Sequence, residues 1–530
     1  MKQLKSFVQQ YWRLALLASI LYGIHLMLLS TKLKALFTIP KPTPLYAYFI
    51  LCGAGLFGVI LYGILLFFVK MLYTKNLLFM SWFKWFILYF SVQFIFLLFT
   101  WPGIYKGDEF YVLKNAVNFL FSPAQTGLTS IFYMICLLFF PSLAMITLFQ
   151  IFVISCIFAY SMKSLWAIYP TKKIFFLMIV FLLLPILDAN LFTLRASLVG
   201  WIFLLIMVKI YLAFHNKSLP KIDLYLLPAL TGLIIAWRSE YIYLLLFIPI
   251  ALYLLKTISK KQSLQIFLCI LLFFGFFQIP NKIANNGSNK YPISLVLNPL
   301  ANLFTQDDLK GPSVYDDILT INELVDVKLL RKTASVRNIS QYWNIEDTLP
   351  KEQLNRFMKA AFRIIFYNFD DFLNYRLQTF AYTNGYYADR INHPGGENVD
   401  SINRLIYAGV DYKEVFLLSK PLLGQSFREK VISLLSLRIY KQNAIKTHPL
   451  LVVFYNATPG LIAMILLFLY GVLKKKRTHW ILSLLISLQF IFIFLTAPAM
   501  FFMYYFCFYL SSSFFITLFL VEGSCVKTNT

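Results

Sequence analysis

Gly127-Leu128-Thr129-Ser130-Ile131-Phe132-Tyr133-Met134-Ile135-Cys136-Leu137-Leu138-Phe139-Phe140-Pro141 is the stretch whose reading decides the fold. It is apolar, it is ended by a proline, and it covers only about one-half to two-thirds of the ~20 residues a helix needs to cross a bilayer. If it crosses, every later loop changes side. If it lies at the interface, or dips in and returns, the later loops keep their side.

The surroundings are those of a membrane chain. Of 530 residues, 59% are hydrophobic, and the mean hydropathy is +0.70; soluble domains lie nearer ~45–50% apolar. Apolar runs near 14–30, 45–69, 84–100, 142–160, 174–187, 196–212, 222–237, 241–255, 264–279, 450–472, 480–496 and 500–520 predict an all-α polytopic protein of about 12 transmembrane helices. Segments of ~10 residues with alternating polarity, the mark of a membrane β-barrel, are absent.

Charge settles the ambiguous stretch. The formal net charge is +25, and cytoplasmic loops of membrane proteins carry an excess of Lys and Arg. With 127–140 at the outer interface, Lys163, Lys172, Lys173, Lys217, Lys221, Lys256, Lys260, Lys261 and the run Lys474-Lys475-Lys476-Arg477 all face the cytoplasm. The short outer turns keep only Arg195 and Arg238, while Lys32, Lys34 and Lys41 lie outside against the rule. The N-terminus, with Lys2, Lys5 and Arg13 before an apolar run, reads as a first span starting inside rather than a cleavable leader. The basic balance reflects topology, not nucleic-acid binding.

Three parts follow. Residues 1–280 form an N-terminal transmembrane module with an outer loop at 101–141. Residues 281–449 form one large extracytoplasmic region, with helical patterns near 351–380 and 425–440 and a loop at Asn392-His393-Pro394-Gly395-Gly396. Residues 450–530 supply the last helices. No internal repeat supports an inverted-repeat transporter. Asn338-Ile339-Ser340 fits the short N-glycosylation sequon. The six cysteines are scattered without a C-x-x-C pair, and the histidines have no metal-ligand spacing.

Chemistry is sought where charge meets the outer surface. Trp101-Pro102-Gly103-Ile104-Tyr105-Lys106-Gly107-Asp108-Glu109 follows a long apolar run. Asp188, Asn190 and Arg195 occupy a second outer turn; Arg238, Ser239 and Glu240 occupy a third. A carboxylate there accepts the proton of an attacking hydroxyl. An arginine grips a leaving phosphate by its fork, and Lys106 is a further cation for lipid phosphate. Asp108 and Glu109 are adjacent, so their side chains diverge on a helix. The aromatic and polar stretch Tyr382–Arg390 suits sugar stacking or packing on the bilayer.

These residues resemble the GT-C superfamily of polytopic glycosyltransferases, which use lipid-linked sugar donors. The resemblance rests on Asp108-Glu109 with the amphipathic 110–121 behind it, on Leu184-Pro185 through Arg195, on Ala236-Trp237-Arg238-Ser239-Glu240, and on Ala497-Pro498-Ala499-Met500 with Tyr504-Tyr505. It covers roughly 84–280 and 480–515. Where many relatives carry His-Pro-Pro, this chain has Ser122-Pro123-Ala124-Gln125, and the two helices before the acidic loop are additions to the usual arrangement.

The resemblance implies a multi-pass protein of the bacterial inner membrane whose site faces outside. Its substrates would be a polyprenyl-phosphate sugar and a surface glycan or lipid acceptor. Asp108, with Glu109, would be catalytic; Arg195 and Arg238 would hold the phosphate, and Glu240 would orient Arg238. No nucleotide or redox cofactor is implied, and a divalent metal is compatible, since acidic sites of this superfamily sometimes hold one. The alternatives are an O-antigen-type ligase or polymerase acting on polyprenyl-diphosphate glycans, with Arg390 and His393 as its long-loop candidates, and a non-enzymatic lipid or glycan transporter. The latter expects mid-membrane charge, and the apolar runs are nearly charge-free, with Lys84 and Lys209 among the few charges, near helix ends.

Overall fold

The structure is a computed structural model that describes residues 20, 24–25, 71, 73–74, 76–105, 107–118, 120–121, 126–284, 291–335, 349–386, 406–407, 410–411, 416–441 and 444–526. The expected spans 14–30 and 45–69, together with Lys32, Lys34, Lys41, Lys106, Ser122–Gln125, Asn338, Arg390 and His393, lie outside the described residues.

Among the described residues, seven helices are long and apolar enough to cross a membrane: Leu77–Phe99, Leu143–Ile168, Arg195–His215, Lys260–Ile283, Leu451–Leu473, Arg477–Thr496 and Phe502–Ser524. The chain is a membrane protein. An eighth candidate is the pair Lys172–Phe181 and Leu184–Asn190, bent by 61°. The expected 174–187 helix is therefore broken. Pro185, in the first turn of the second piece, has no amide hydrogen to continue the ladder. Asp223–Trp237 and Ser239–Leu254 are shorter apolar helices of the same bundle.

The helices run up and down between two ends. At one end, Lys217, Lys256 and Lys475 each follow a helix C-terminus in the left-handed region, with φ of 52°, 59° and 54°. The next amide in each turn reaches back five residues: Ser218 to the Ala213 carbonyl, Thr257 to Leu252 and Lys476 to Gly471, at 3.1, 3.1 and 2.8 Å. This closure satisfies carbonyls that the helix leaves open, and lysine there complements the negative end of the helix dipole. We call this the lysine end. The opposite end carries Asp108, Arg195 and Arg238, and is the acidic-loop end.

The deciding stretch lies at the acidic-loop end. Gly127–Phe139 is a helix of 13 residues, about 20 Å long against a hydrocarbon core of about 30 Å. The Gly127 amide donates to Asn281 Oδ1 at 2.8 Å, Thr129 accepts from the Trp237 indole at 2.9 Å, and the Tyr133 hydroxyl bonds Thr193 Oγ1 at 2.9 Å. All three partners sit at the same end of their helices. Gly127 is required here, because an added Cβ would lie 2.7 Å from the Pro280 backbone.

The bundle core joins Phe158, Trp201, Phe203, Leu482 and Phe514 from neighbouring helices. The region between the spans has its own core, in which Leu297, Leu300, Phe304, Phe357 and Ile364 pack together. The expected helix near 351–380 is two, Lys351–Tyr367 and Phe369–Thr383. They part at Asn368, whose side chain exchanges hydrogen bonds with the Lys310 backbone. The helix expected over 425–440 ends at Ser436, and its last residues enter a ribbon, Arg438–Lys441 against Ala444–Thr447. A second ribbon pairs Ile406–Tyr407 with Val410–Asp411. The structure is helical as expected, and the two ribbons, with strands of two and four residues, are too short for a reading tuned to long apolar runs.

Candidate functional site

The acidic residues start the helix Gly107–Val117 and lie in its first turn, where carboxylates favour the positive end of the dipole. They part at once. Asp108 is exposed; Glu109 is fully buried. Glu109 sits beside Tyr105, whose phenol is held well above its ordinary range, chiefly by burial and also by the Glu109 charge, against a hydrogen bond from Thr147. The protonated phenol donates to the Leu143 carbonyl at 2.6 Å. Glu109 is thus set into the base of the loop while Asp108 faces out.

The turn before it is tightly held. Gly103 has φ 121°, and a Cβ there would come within 2.2 Å of Thr147 Oγ1. Thr147 itself donates to the Pro102 carbonyl at 3.2 Å. Ile104 bridges Phe192 in parallel, which joins the acidic loop to the turn that leads to Arg195.

Arg195 is the first residue of its helix rather than a loop residue. Its Nη1 donates to the Trp237 carbonyl at 3.1 Å. Arg238 and Glu240 form a buried ion pair at 2.6 Å, and the Arg238 guanidinium stands 6.0 Å from the Tyr504 ring. Burial works to raise the Glu240 carboxyl, but the Arg238 charge and hydrogen bond, with Arg195 in the same direction, bring it below its ordinary value of 4.5. Two guanidinium groups therefore act on the Glu240 carboxylate.

These parts form one neighbourhood: Glu109 beside Tyr105 and Tyr133, Tyr133 on Thr193, Arg195 on Trp237, and Trp237 followed by Arg238. Beside it opens a pocket of about 510 Å³, counted with its open mouth, whose lining includes Asp188, Phe192, Leu194, Ser197, Phe502 and Phe506. Asp188 lines this pocket, whereas Asn190 is a buried fastener. The Asn190 Oδ1 accepts from the Trp201 indole at 2.7 Å, and its Nδ2 donates to the Tyr89 hydroxyl at 3.0 Å.

Two buried residues were not singled out from sequence, Arg376 and Arg428. Arg428 donates to the Thr100 and Gly103 carbonyls and Arg376 to the Ala497 carbonyl and Asn298 Oδ1, all far away in the chain, which leaves no local pattern to read. Tyr504 was noted only as part of a pattern, and its facing position against Arg238 has no sequence signal.

Among the described residues no three His, Cys, Asp or Glu side chains group as metal ligands would, so no step below passes through a metal. Comparison with protein-family models finds no match, and neither curated proteins nor solved structures give a significant one.

Proposed function

We propose that the protein is a glycosyltransferase of GT-C type with about twelve membrane helices, its acidic-loop end facing outside the bacterial cytoplasmic membrane. It would move one sugar from a polyprenyl phosphate to a glycan or lipid acceptor. The observation that carries this reading is the grouping of Arg195 and Arg238 beside the carboxylate Glu240, at the same bundle end as the exposed Asp108. Two guanidinium forks held at one site suit a phosphate, and an exposed carboxylate suits the deprotonation of a polar acceptor.

In this reaction the acceptor oxygen attacks the anomeric carbon with inversion. The bond from that carbon to the phosphate oxygen breaks, and the acceptor proton passes to Asp108. Arg238 and Arg195 stabilise the charge that develops on the departing phosphate. Glu240 fixes the orientation of Arg238 and is not itself the base, because its proton affinity is lowered by its partners. Glu109 supports the loop from below. The apolar walls of the neighbouring pocket suit the first isoprene units of the donor.

The test is mass spectrometry of lipid-linked sugars and surface glycans in a deletion strain. The proposal expects a polyprenyl monophosphate sugar to accumulate while one glycan residue disappears. Accumulated polyprenyl diphosphate polymer would assign the protein to the ligase or polymerase class instead, and unchanged pools of both would overturn the enzyme reading.

A further inference from the structure

Arg376 and Arg428 are among the largest fully buried side chains of the molecule, and both come from the region between the spans. Arg428, on the helix Gln425–Ser436, donates from Nε to the Thr100 carbonyl at 3.0 Å and from Nη2 to the Gly103 carbonyl at 2.6 Å. These carbonyls bracket the turn that delivers Asp108. Trp101 in that turn donates its indole N–H to the Leu418 carbonyl at 2.7 Å, and the Leu417 amide donates to the Pro141 carbonyl at 2.9 Å. Arg376, on Phe369–Thr383, donates from Nη1 to the Ala497 carbonyl at 2.5 Å and from Nη2 to Asn298 Oδ1 at 2.9 Å. Ala497 opens the turn that delivers Tyr504 to Arg238. Burial lowers the Arg376 guanidinium to about 10, so it stays charged at neutral pH.

A buried cation is an expensive way to join two surfaces, since apolar packing would do so without desolvating a charge. What arginine adds is a planar fork whose donors fix the direction of more than one acceptor, which the single point charge of lysine does not reproduce. We propose that Arg428 and Arg376 are positioning residues: the region between the spans uses them to set two separate turns, the Asp108 turn through Arg428 and the Tyr504 turn through Arg376. The inference rests on the transferase reading for its functional half and on geometry alone for its structural half.

The experiment compares purified full-length wild type, Arg428→Lys and Arg376→Lys in detergent, by amide hydrogen exchange and by binding of farnesyl monophosphate followed through tryptophan fluorescence. Arg428→Lys is expected to speed exchange at least tenfold over 100–109 and not over 497–504, and to hold farnesyl phosphate affinity within about twofold. In the complemented deletion strain it lowers transfer. Arg376→Lys is expected to show the reverse pattern of exchange and to weaken farnesyl phosphate binding about tenfold. Should Arg428→Lys fail to accumulate, Trp101→Phe, which removes the neighbouring tie to Leu418, is read in the same way. Exchange that rises in both turns for either variant, or in neither, overturns the inference. If wild type itself does not bind farnesyl phosphate, the transferase reading fails, and the exchange pattern still decides whether the two turns are set independently.

Discussion

Two buried ion pairs lie at opposite ends of the helix Asp223–Trp237, and their surroundings differ. Lys209 meets Asp223 at 2.7 Å near the lysine end, with 6% and 5% of the side chains exposed; Arg238 meets Glu240 at 2.6 Å near the acidic-loop end, with 7% and 9% exposed. Asp223 and Arg238 stand fifteen residues apart along that helix, about 22 Å at 1.5 Å per residue. Lys209 also reaches the Tyr160 hydroxyl at 3.3 Å, so its pair ties three helices together. Arg238 and Glu240 are two residues apart, so their pair closes within one turn. The second pair instead holds a guanidinium beside Arg195 and facing Tyr504. Equal burial thus covers a fastener that ties helices together at one end and a pair that closes within one turn at the other.

The largest expected effect on stability falls at the fastener. Lys209→Ala leaves Asp223 buried without its partner, and a loss of roughly 3–5 kcal/mol is expected, read as a lowered Tm in detergent. The double replacement Lys209→Met with Asp223→Leu is expected to recover most of it, since buried pairs exchanged for apolar side chains are often neutral. A double variant as unstable as the single one would break the comparison.

At the other pair the order reverses. Arg238→Ala is expected to lower transfer by about 10²–10³-fold, or ~2.7–4 kcal/mol of transition-state stabilisation, with a smaller shift in Tm than Lys209→Ala. A large drop in Tm with transfer per folded molecule intact would make Arg238 a fastener too.

Acid sharpens the contrast further. The folded value of Glu240 lies below its ordinary 4.5. Its contribution to stability is therefore fully present above about pH 4.5 and is lost as pH falls through the folded value. Wild type should exceed Glu240→Gln in Tm at pH 6, and the difference should shrink on descent below pH 4.5. A difference independent of pH would show that the charge of Glu240 is not what the turn uses.

The smallest effect concerns the link between the turn and the interfacial helix. Trp237→Phe removes the indole donor to Thr129, and a cost of about 1 kcal/mol is expected, visible as a small decrease in Tm.

Much of the bundle was readable from charge and length. Lys217, Lys256 and Lys475 mark one end because positive-inside selection and helix C-terminal chemistry both favour lysine there. The short stretch before Pro141 was placed by the consequences for those lysines, and in the structure it is a 13-residue helix. The ion pair at Lys209 was only half visible, because Asp223 lies across a turn and looks like an ordinary first-turn carboxylate. The different fates of Asp108 and Glu109 depend on the rotation of one short helix. Arg376 and Arg428 were opaque for a stronger reason: each donates to a backbone carbonyl more than a hundred residues away, and every residue has a carbonyl.

The most direct measurement is complementation of the deletion strain with wild type or Asp108→Ala at matched membrane levels, read by mass spectrometry of lipid-linked sugars and surface glycans. The account predicts that wild type restores the missing glycan residue and clears the polyprenyl monophosphate sugar, while the alanine variant does neither. Full restoration by Asp108→Ala would contradict it.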